Sequence, residues 1–253
     1  MSLSCHAVVD TAYQQVQIWK SPAQCEFRVA GAIHAWWHRE RFLTGLAWDN
    51  LAAAALLRRS GPPRSILMLG LAGGTAMRIL RHLLPDCRLV AVDIDSEIVA
   101  LAELNMELDE SRIEIHFGDA YRWIAKCREK FDVVIDDVYM AGADDVFRPG
   151  KSDLAQVSKL KRLLAPGGLL LTNLVNGEGH RTVQIRARAA FREGFPVVRS
   201  ITTPASMNET LVGGDEVLPP SALGPWEKCF ASAVDRKLWR RLKSRRLTLT
   251  RPR

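Results

Sequence analysis

Ser65-Ile66-Leu67-Met68-Leu69-Gly70-Leu71-Ala72-Gly73-Gly74-Thr75-Ala76 is an apolar run that stops at a glycine cluster and passes at once into a helical pattern. Ile66 to Leu69 have the unbroken apolar character of a parallel strand buried on both faces. Gly70, Gly73 and Gly74 permit conformations and close approaches that a Cβ forbids, and a helix starting at Thr75 offers unpaired backbone amides to a ligand. The dinucleotide fingerprint G-x-G-x-x-G is not met, because Ala72 stands where its second glycine belongs. A nucleotide-like ligand other than NAD is the expectation.

Acids follow at successive strand ends. Arg88 to Val92 runs into Asp93, about 20 residues past the first glycine, where a carboxylate can accept from both ribose hydroxyls. Ile113 to Phe117 runs into Gly118-Asp119-Ala120, and Phe131 to Ile135 into Asp136-Asp137. Ligands of open parallel sheets bind beyond the carboxyl ends of the strands, so the glycine turn and these acids point at one crevice. Asp93 and Asp119 have a second reading as caps of the helices that follow them.

Strand and helix alternate regularly from Ser65: helix 75–84, strand to Asp93, helix 96–108, strand 112–117, helix 120–128, strand 131–136, helix 154–164, strand 169–174, helix 181–193, then strands near 195–200 and 209–212. This alternation implies an α/β fold with a mostly parallel, doubly wound sheet covered on both faces. Residues 138–151, with Gly142, Pro149 and Gly150, are long for a connection and read as an active-site loop. Upstream, residues 7–35 alternate in a β manner around a Ser21-Pro22 turn, and residues 44–59 read as an Ala- and Leu-rich helix closed by Ser60-Gly61-Pro62-Pro63. Three regions are expected: a β-rich N-terminal element (1–43), a Rossmann-like ligand-binding and catalytic domain (44–235), and a basic C-terminal tail (236–253).

The net charge of +7 is localised. Nine of the 35 Lys and Arg lie in residues 236–253, which hold no acid, leaving 26 basic against 28 acidic residues elsewhere. The tail reads as a solvated helix, with contact to nucleic acid, an anionic surface or an acidic partner as the sharper alternatives. Leu238, Trp239, Leu242 and Leu249 give it apolar spacing that can dock on the body. At 47% hydrophobic and 25% charged the composition is that of a soluble globular chain, no apolar run reaches the roughly 18 residues of a membrane span, and the N-terminus lacks signal-peptide order, so a cytoplasmic protein is expected. Five scattered cysteines read as reduced, mostly buried thiols. The histidines show no metal spacing and read as surface or core residues, with His180 as a candidate to approach an acceptor; no metal is expected. Trp36-Trp37 reads as packing or a dimer contact.

Tyr13-Gln14 with Val16-Gln17-Ile18, the glycine turn, Val92-Asp93-Ile94-Asp95, Gly118-Asp119-Ala120 and Asp132 to Asp137 together resemble the spermidine synthase (polyamine aminopropyltransferase) family, over about residues 10–212. That family shares its main domain with class I S-adenosylmethionine-dependent methyltransferases. The resemblance implies a seven-stranded Rossmann-like sheet, an adenosyl sulfonium ligand (S-adenosylmethionine or its decarboxylated form), a small-molecule acceptor, and a homodimer. It further implies that Gly70, Ala72 and Gly73 face the methionine-derived part, Asp93 and Ile94 the ribose, and Asp119 and Ala120 the adenine, while Asp137 stands in the place of the catalytic aspartate. Where the family has an aspartate in its glycine turn this chain has Gly73, its Asp-Ser-Ser-Asp run is Asp137-Val138-Tyr139-Met140, and its Asp-Glu before a tyrosine is Thr44-Gly45 before Trp48.

A dicationic acceptor needs carboxylates to replace its hydration, and most of those are missing. A pocket of Trp48, Tyr139 and Met140 suits a flatter, less charged acceptor. Three readings follow: methyl transfer, with Asp137 orienting or deprotonating the acceptor and Tyr139 as its hydrogen-bonding neighbour; aminopropyl transfer from decarboxylated S-adenosylmethionine; or a non-catalytic homologue that binds an adenosyl ligand.

Overall fold

The computed structural model describes residues 2–142, 146–177 and 179–248. Leu249 of the expected tail pattern, residues 143–145 of the expected active-site loop and Glu178 lie outside them.

Four strands, Ser4–Asp10 (β1), Gln15–Lys20 (β2), Gln24–Val29 (β3) and Ala32–His38 (β4), form an antiparallel sheet in sequence order. The period of two decides its faces: Val16 and Ile18 are buried while Gln15 is exposed. The Ser21-Pro22 turn falls between β2 and β3, closed by the Ser21 amide donating to Gln24 O at 2.9 Å. Trp36 and Trp37 are buried at 7% and 8% exposure, so both pack inside this chain.

Helix α1 covers Ala47–Ala55, shorter than the expected 44–59. Its start is set by the buried Asp49, which accepts from the Thr44 amide at 2.9 Å and the Gly45 amide at 2.7 Å and so holds residues 44–46 as a loop.

The main body follows as Ser65–Leu69 (β5), Thr75–Leu83 (α2), Arg88–Asp93 (β6), Ser96–Met106 (α3), Ile113–Phe117 (β7), Ala120–Lys126 (α4) and Phe131–Asp136 (β8). A two-stranded hairpin of Met140–Ala141 (β9) and Val146–Phe147 (β10) precedes Leu154–Lys161 (α5), Leu164–Val175 (β11), Arg181–Gly194 (α6), Val197–Thr202 (β12), Asn208–Gly214 (β13), Ala233–Arg240 (α7) and Lys243–Arg246 (β14).

The large sheet has the order β14-β12-β13-β11-β8-β5-β6-β7. Strands β5, β6, β7, β8 and β11 are parallel, and β13 is antiparallel to both β11 and β12. The doubly wound sheet of seven strands is present, and β14 adds an eighth by pairing antiparallel with β12. Alternate residues of the buried strands feed two cores: Ile66, Met68, Val133 and Ile135 pack toward α1, α2, α3 and the N-terminal sheet, and Leu67, Leu69, Val134 and Leu170 toward α4, α5 and α6. This is why each central strand reads as an unbroken apolar run.

The C-terminal segment differs from the solvated helix expected. Helix α7 crosses residue 236 and buries Trp239 at 4% exposure, with its indole donating to Leu223 O at 2.8 Å. Asp235 at its first turn accepts from the Phe42 amide at 2.9 Å and the Leu43 amide at 3.3 Å, which ties the tail to the loop before α1. Among the described residues no helix is long and apolar enough to cross a membrane, and none of the five cysteines is paired, Cys25, Cys87 and Cys127 being buried.

Candidate active site

A cavity of about 460 Å³ opens beyond the carboxyl ends of β5, β6, β8 and β11. The turn between β1 and β2 and the start of β4 close it from the N-terminal side, through Tyr13, Gln14, Ile33 and His34.

The glycine turn is shaped by backbone contacts on both sides. Gly70 has φ +81°, donates its amide to Val92 O at 2.9 Å, and leaves no room for a side chain: a Cβ there would lie 2.5 Å from the Asp137 carbonyl oxygen. Ala72 follows at φ +48°, a left-handed conformation costing a non-glycine residue about 1–2 kcal/mol. Asp93 offsets that cost, because its Oδ2 accepts from the Leu71 amide at 2.6 Å and the Ala72 amide at 2.9 Å. Its Oδ1 accepts from the Asp95 amide at 2.9 Å, and carboxylate oxygens retain further lone-pair sites for hydroxyl donors. Asp93 and the neighbouring Ile94 both line the cavity.

Gly73 does not line it. A Cβ at Gly73 would come within 2.3 Å of the Ala35 Cβ and 3.0 Å of Met106 Sδ, so this glycine admits the N-terminal sheet. Asp119 and Ala120 are likewise absent from the lining. Asp119 realises its structural reading by capping α4, accepting from the Arg122 amide at 2.9 Å. The cap of α3 is Asp95, not Asp93: its Oδ1 accepts from Glu97 and Ile98, and its Oδ2 accepts from Thr11 Oγ1 at 2.7 Å and Gln14 Nε2 at 3.1 Å. These last bonds fasten the N-terminal turn over the rim and bring Tyr13 and Gln14 to the cavity.

Asp137 leaves the end of β8 with its amide donating to Leu69 O at 2.9 Å and its Oδ1 accepting from Asn173 Nδ2 at 2.8 Å. Burial pushes its carboxyl up to about 7, a rise opposed by the Asn173 donor and the Arg148 guanidinium and reinforced by Asp136. Arg148 and Asp136 form a buried ion pair at 2.7 Å, their side chains 1% and 3% exposed, which pins the loop after β8 beneath the cavity. Tyr139 lines the cavity but is not bonded to Asp137: its hydroxyl donates to Asn173 O at 3.0 Å and accepts from the Val175 amide at 3.2 Å. The expected hydrogen-bonding neighbour of Asp137 is therefore replaced by Asn173.

The far end of the cavity is walled by Trp48, Tyr139, Met140 and Met207. Among the described lining residues the acids are Asp93, Asp95 and Asp137. Asp95 is held by backbone amides and by Thr11 and Gln14, and Asp93 belongs to the glycine turn, which leaves Asp137 as the remaining carboxylate of the described lining. His34, read from sequence as structural, lines the cavity, and burial lowers its imidazole pKa. His180 sits at the N-cap of α6, away from the lining. Sequence reasoning missed Asn173; the signal was an amide side chain inside an apolar run buried on both faces, which demands a polar partner. Among the described residues no group of three or more His, Cys, Asp or Glu is placed to hold a metal ion.

The family model described as "Spermine/spermidine synthase domain" matches residues 50–209, more than half of the 253. An "eEF1A lysine and N-terminal methyltransferase homolog" from Drosophila pseudoobscura pseudoobscura is 28% identical over 178 residues, covering 67% of this chain and 26% of that protein. A "Polyamine aminopropyltransferase" from Nitrosomonas europaea is 28% identical over 149 residues, covering 55% of this chain and 44% of that protein. The chain thus spans about a quarter to under half the length of these relatives. The crystal structure of a probable spermidine synthase from Corynebacterium glutamicum superposes with a TM-score of 0.72 at 17% identity, covering 88% of this chain and 86% of that one, which shows the shared fold.

Proposed function

Because the chain belongs to the spermine/spermidine synthase family, whose fold is also that of class I methyltransferases, we propose that it is an S-adenosylmethionine-dependent transferase that methylates a small-molecule acceptor. When bound, S-adenosylmethionine supplies an electrophilic methyl carbon on its sulfonium. The cavity volume lies within the range typical of small-molecule sites, about 300–1,000 Å³, and the oxygens of Asp93 beside the glycine turn are the acceptors that a ribose requires. Gly70, Ala72, Asp93 and Ile94 hold the nucleoside in this reading.

Asp137 orients the acceptor or takes its proton, a role suited to a carboxyl held near 7 and facing a partly apolar cavity. Trp48, Tyr139 and Met140 exclude water and align the acceptor, and holding the reacting groups in near-attack geometry is the main contribution asked of the protein.

The observation that supports methyl transfer over polyamine synthesis is the single carboxylate, Asp137, at the acceptor end among the described lining residues. A diamine carries two ammonium groups, and leaving one of them buried without a counter-charge is strongly unfavourable. Aminopropyl transfer from decarboxylated S-adenosylmethionine is the second reading, supported by the relatives named for that activity and by a base placed to keep an amine neutral. Calorimetric titration with each nucleoside separates the two. Tighter binding of the carboxylated compound is expected; tighter binding of the decarboxylated one overturns methyl transfer in favour of aminopropyl transfer.

A further inference from the structure

Asp137 stands at the end of a one-way series of side-chain hydrogen bonds that begins on the loop before β13. Ser206 Oγ donates to Asn208 Oδ1 at 3.2 Å, Asn208 Nδ2 donates to Asn173 Oδ1 at 3.1 Å, and Asn173 Nδ2 donates to Asp137 Oδ1 at 2.8 Å. The series is held from both sides. The Asn208 amide donates to Ser206 Oγ at 3.0 Å, and Asn50 on α1 donates to Asn208 O at 3.4 Å. Ser206, Asn208, Asn173 and Asp137 all line the same cavity.

Each amide in such a series is polarised by the one behind it, so the last donor is stronger than an isolated carboxamide by about 10–30% per added bond. Every donor here points toward Asp137. The arrangement stabilises the ionised carboxylate and disfavours a proton on Oδ1, the oxygen that accepts from Asn173. Without it, burial and the neighbouring charge of Asp136 would favour the protonated carboxyl further, and a protonated carboxyl has no capacity to accept the acceptor's proton.

We propose that Ser206 and Asn208 are positioning residues, which act through Asn173 to favour the ionised form of Asp137 and to select the oxygen that receives the acceptor's proton. This rests on Asp137 being the group that meets the acceptor. The relay is a property of this chain's own β11 and β13 ends, two antiparallel neighbours in register from Leu170↔Gly213 to Val175↔Asn208, which sets residues 173 and 208 diagonally across the ladder. The charged and titratable groups that act on Asp137 or share its cavity are Asp136 on β8, Tyr139 just after it and Arg148 after β10, with Asp93 and Asp95 at the end of β6 and His34 on β4 lining the same cavity.

The test is a carboxyl-carbon NMR titration of aspartate-labelled protein, with Asp137→Asn identifying the Asp137 signal. In Asn208→Ala the midpoint of Asp137 is expected to rise by roughly half a pH unit, and in Asn173→Ala by about a unit or more, since a hydrogen bond to a charged group contributes about 1.5–3 kcal/mol. Asn208→Asp is expected to raise it further than Asn208→Ala. The introduced carboxylate draws the Asn173 NH₂ away and turns its carbonyl oxygen onto Asp137. Ser206→Ala, the mildest change, gives a smaller rise in the same direction and serves if an Asn208 variant fails to fold. An Asp137 midpoint that stays within about 0.1 unit of wild type in folded Asn208→Ala and Ser206→Ala protein overturns the relay. S-adenosylmethionine titrated calorimetrically into the same wild-type sample separates the two claims. Absence of heat with a shifted midpoint removes the transferase reading and leaves the relay; heat with an unshifted midpoint removes the relay alone.

Discussion

Gly70 and Asp137 meet backbone to backbone: a Cβ on the first would sit 2.5 Å from the carbonyl oxygen of the second. The contact locks the glycine turn after β5 against the end of β8, and so fixes where that turn lies relative to the Asp137 carboxylate.

Gly70→Ala therefore brings two penalties, a left-handed φ of +81° and a clash with main chain that cannot rotate away. A loss of at least about 2 kcal/mol is expected in denaturant unfolding, together with a loss of nucleoside affinity. Gly73→Ala, by contrast, is expected to loosen the packing of Ala35 and Met106 on the turn and to reduce stability with a smaller effect on affinity, because Gly73 borders the N-terminal sheet and not the cavity.

The Arg148–Asp136 pair is almost fully enclosed. Burial alone would lower the Arg148 pKa, but Asp136, Tyr139 and Tyr121 around it more than reverse that. Arg148→Met leaves the Asp136 carboxylate buried with Gln156, Tyr121 and Thr172 as its side-chain partners among the described residues, and a loss of about 3–5 kcal/mol is expected. Adding Asp136→Asn to Arg148→Met should restore part of that loss, so the double variant is more stable than the sum of the single changes implies. A double-mutant cycle in urea checks this; strict additivity would mean that the pair is not coupled.

Asp137 also gives stability a pH signature. Its carboxyl is pushed from an ordinary 3.8 up to about 7 by burial, so between about pH 4 and 7 the folded protein holds a proton that the unfolded chain releases. Stability from this group is fully present below pH 4 and is lost as pH rises through 7. Asp137→Asn removes the dependence, so the stability of the variant relative to wild type should climb from pH 4 to 7 and level off above. Asp49, raised to about 6 by burial, contributes a slope of the same sign to both proteins and cancels in the difference. A difference that is flat across this range would show that Asp137 titrates normally.

Much of the fold was legible because the central strands are buried on both faces and announce themselves as apolar runs ending in glycine or acid. The eighth strand was not, since Lys243-Ser244-Arg245-Arg246 has the composition of a solvated segment and becomes a strand only by pairing with the distant β12. In the site, Gly70, Asp93 and Asp137 could be placed because strand ends in a parallel sheet converge. Gly73 and Asp119, expected at the ligand, lie outside the cavity lining, and each residue type serves two roles: glycine serves ligand approach and close packing alike, and aspartate serves ligand binding and helix capping alike. Which role is taken depends on what lies opposite, Ala35 in the first case and the Arg122 amide in the second. Tyr139 was brought to the right place with the wrong partner, because nothing local in sequence says that its hydroxyl reaches across to β11.

The claim beneath all of this is that the glycine turn and Asp93 together hold an adenosyl sulfonium compound. Isothermal titration of S-adenosylmethionine into wild-type and Asp93→Asn protein tests it most directly. Saturable heat in the wild type, with affinity reduced roughly tenfold to a hundredfold in the variant as a charge-assisted hydrogen bond is lost, is the expected result. No heat in the wild type, or equal affinity in the two proteins, would contradict it.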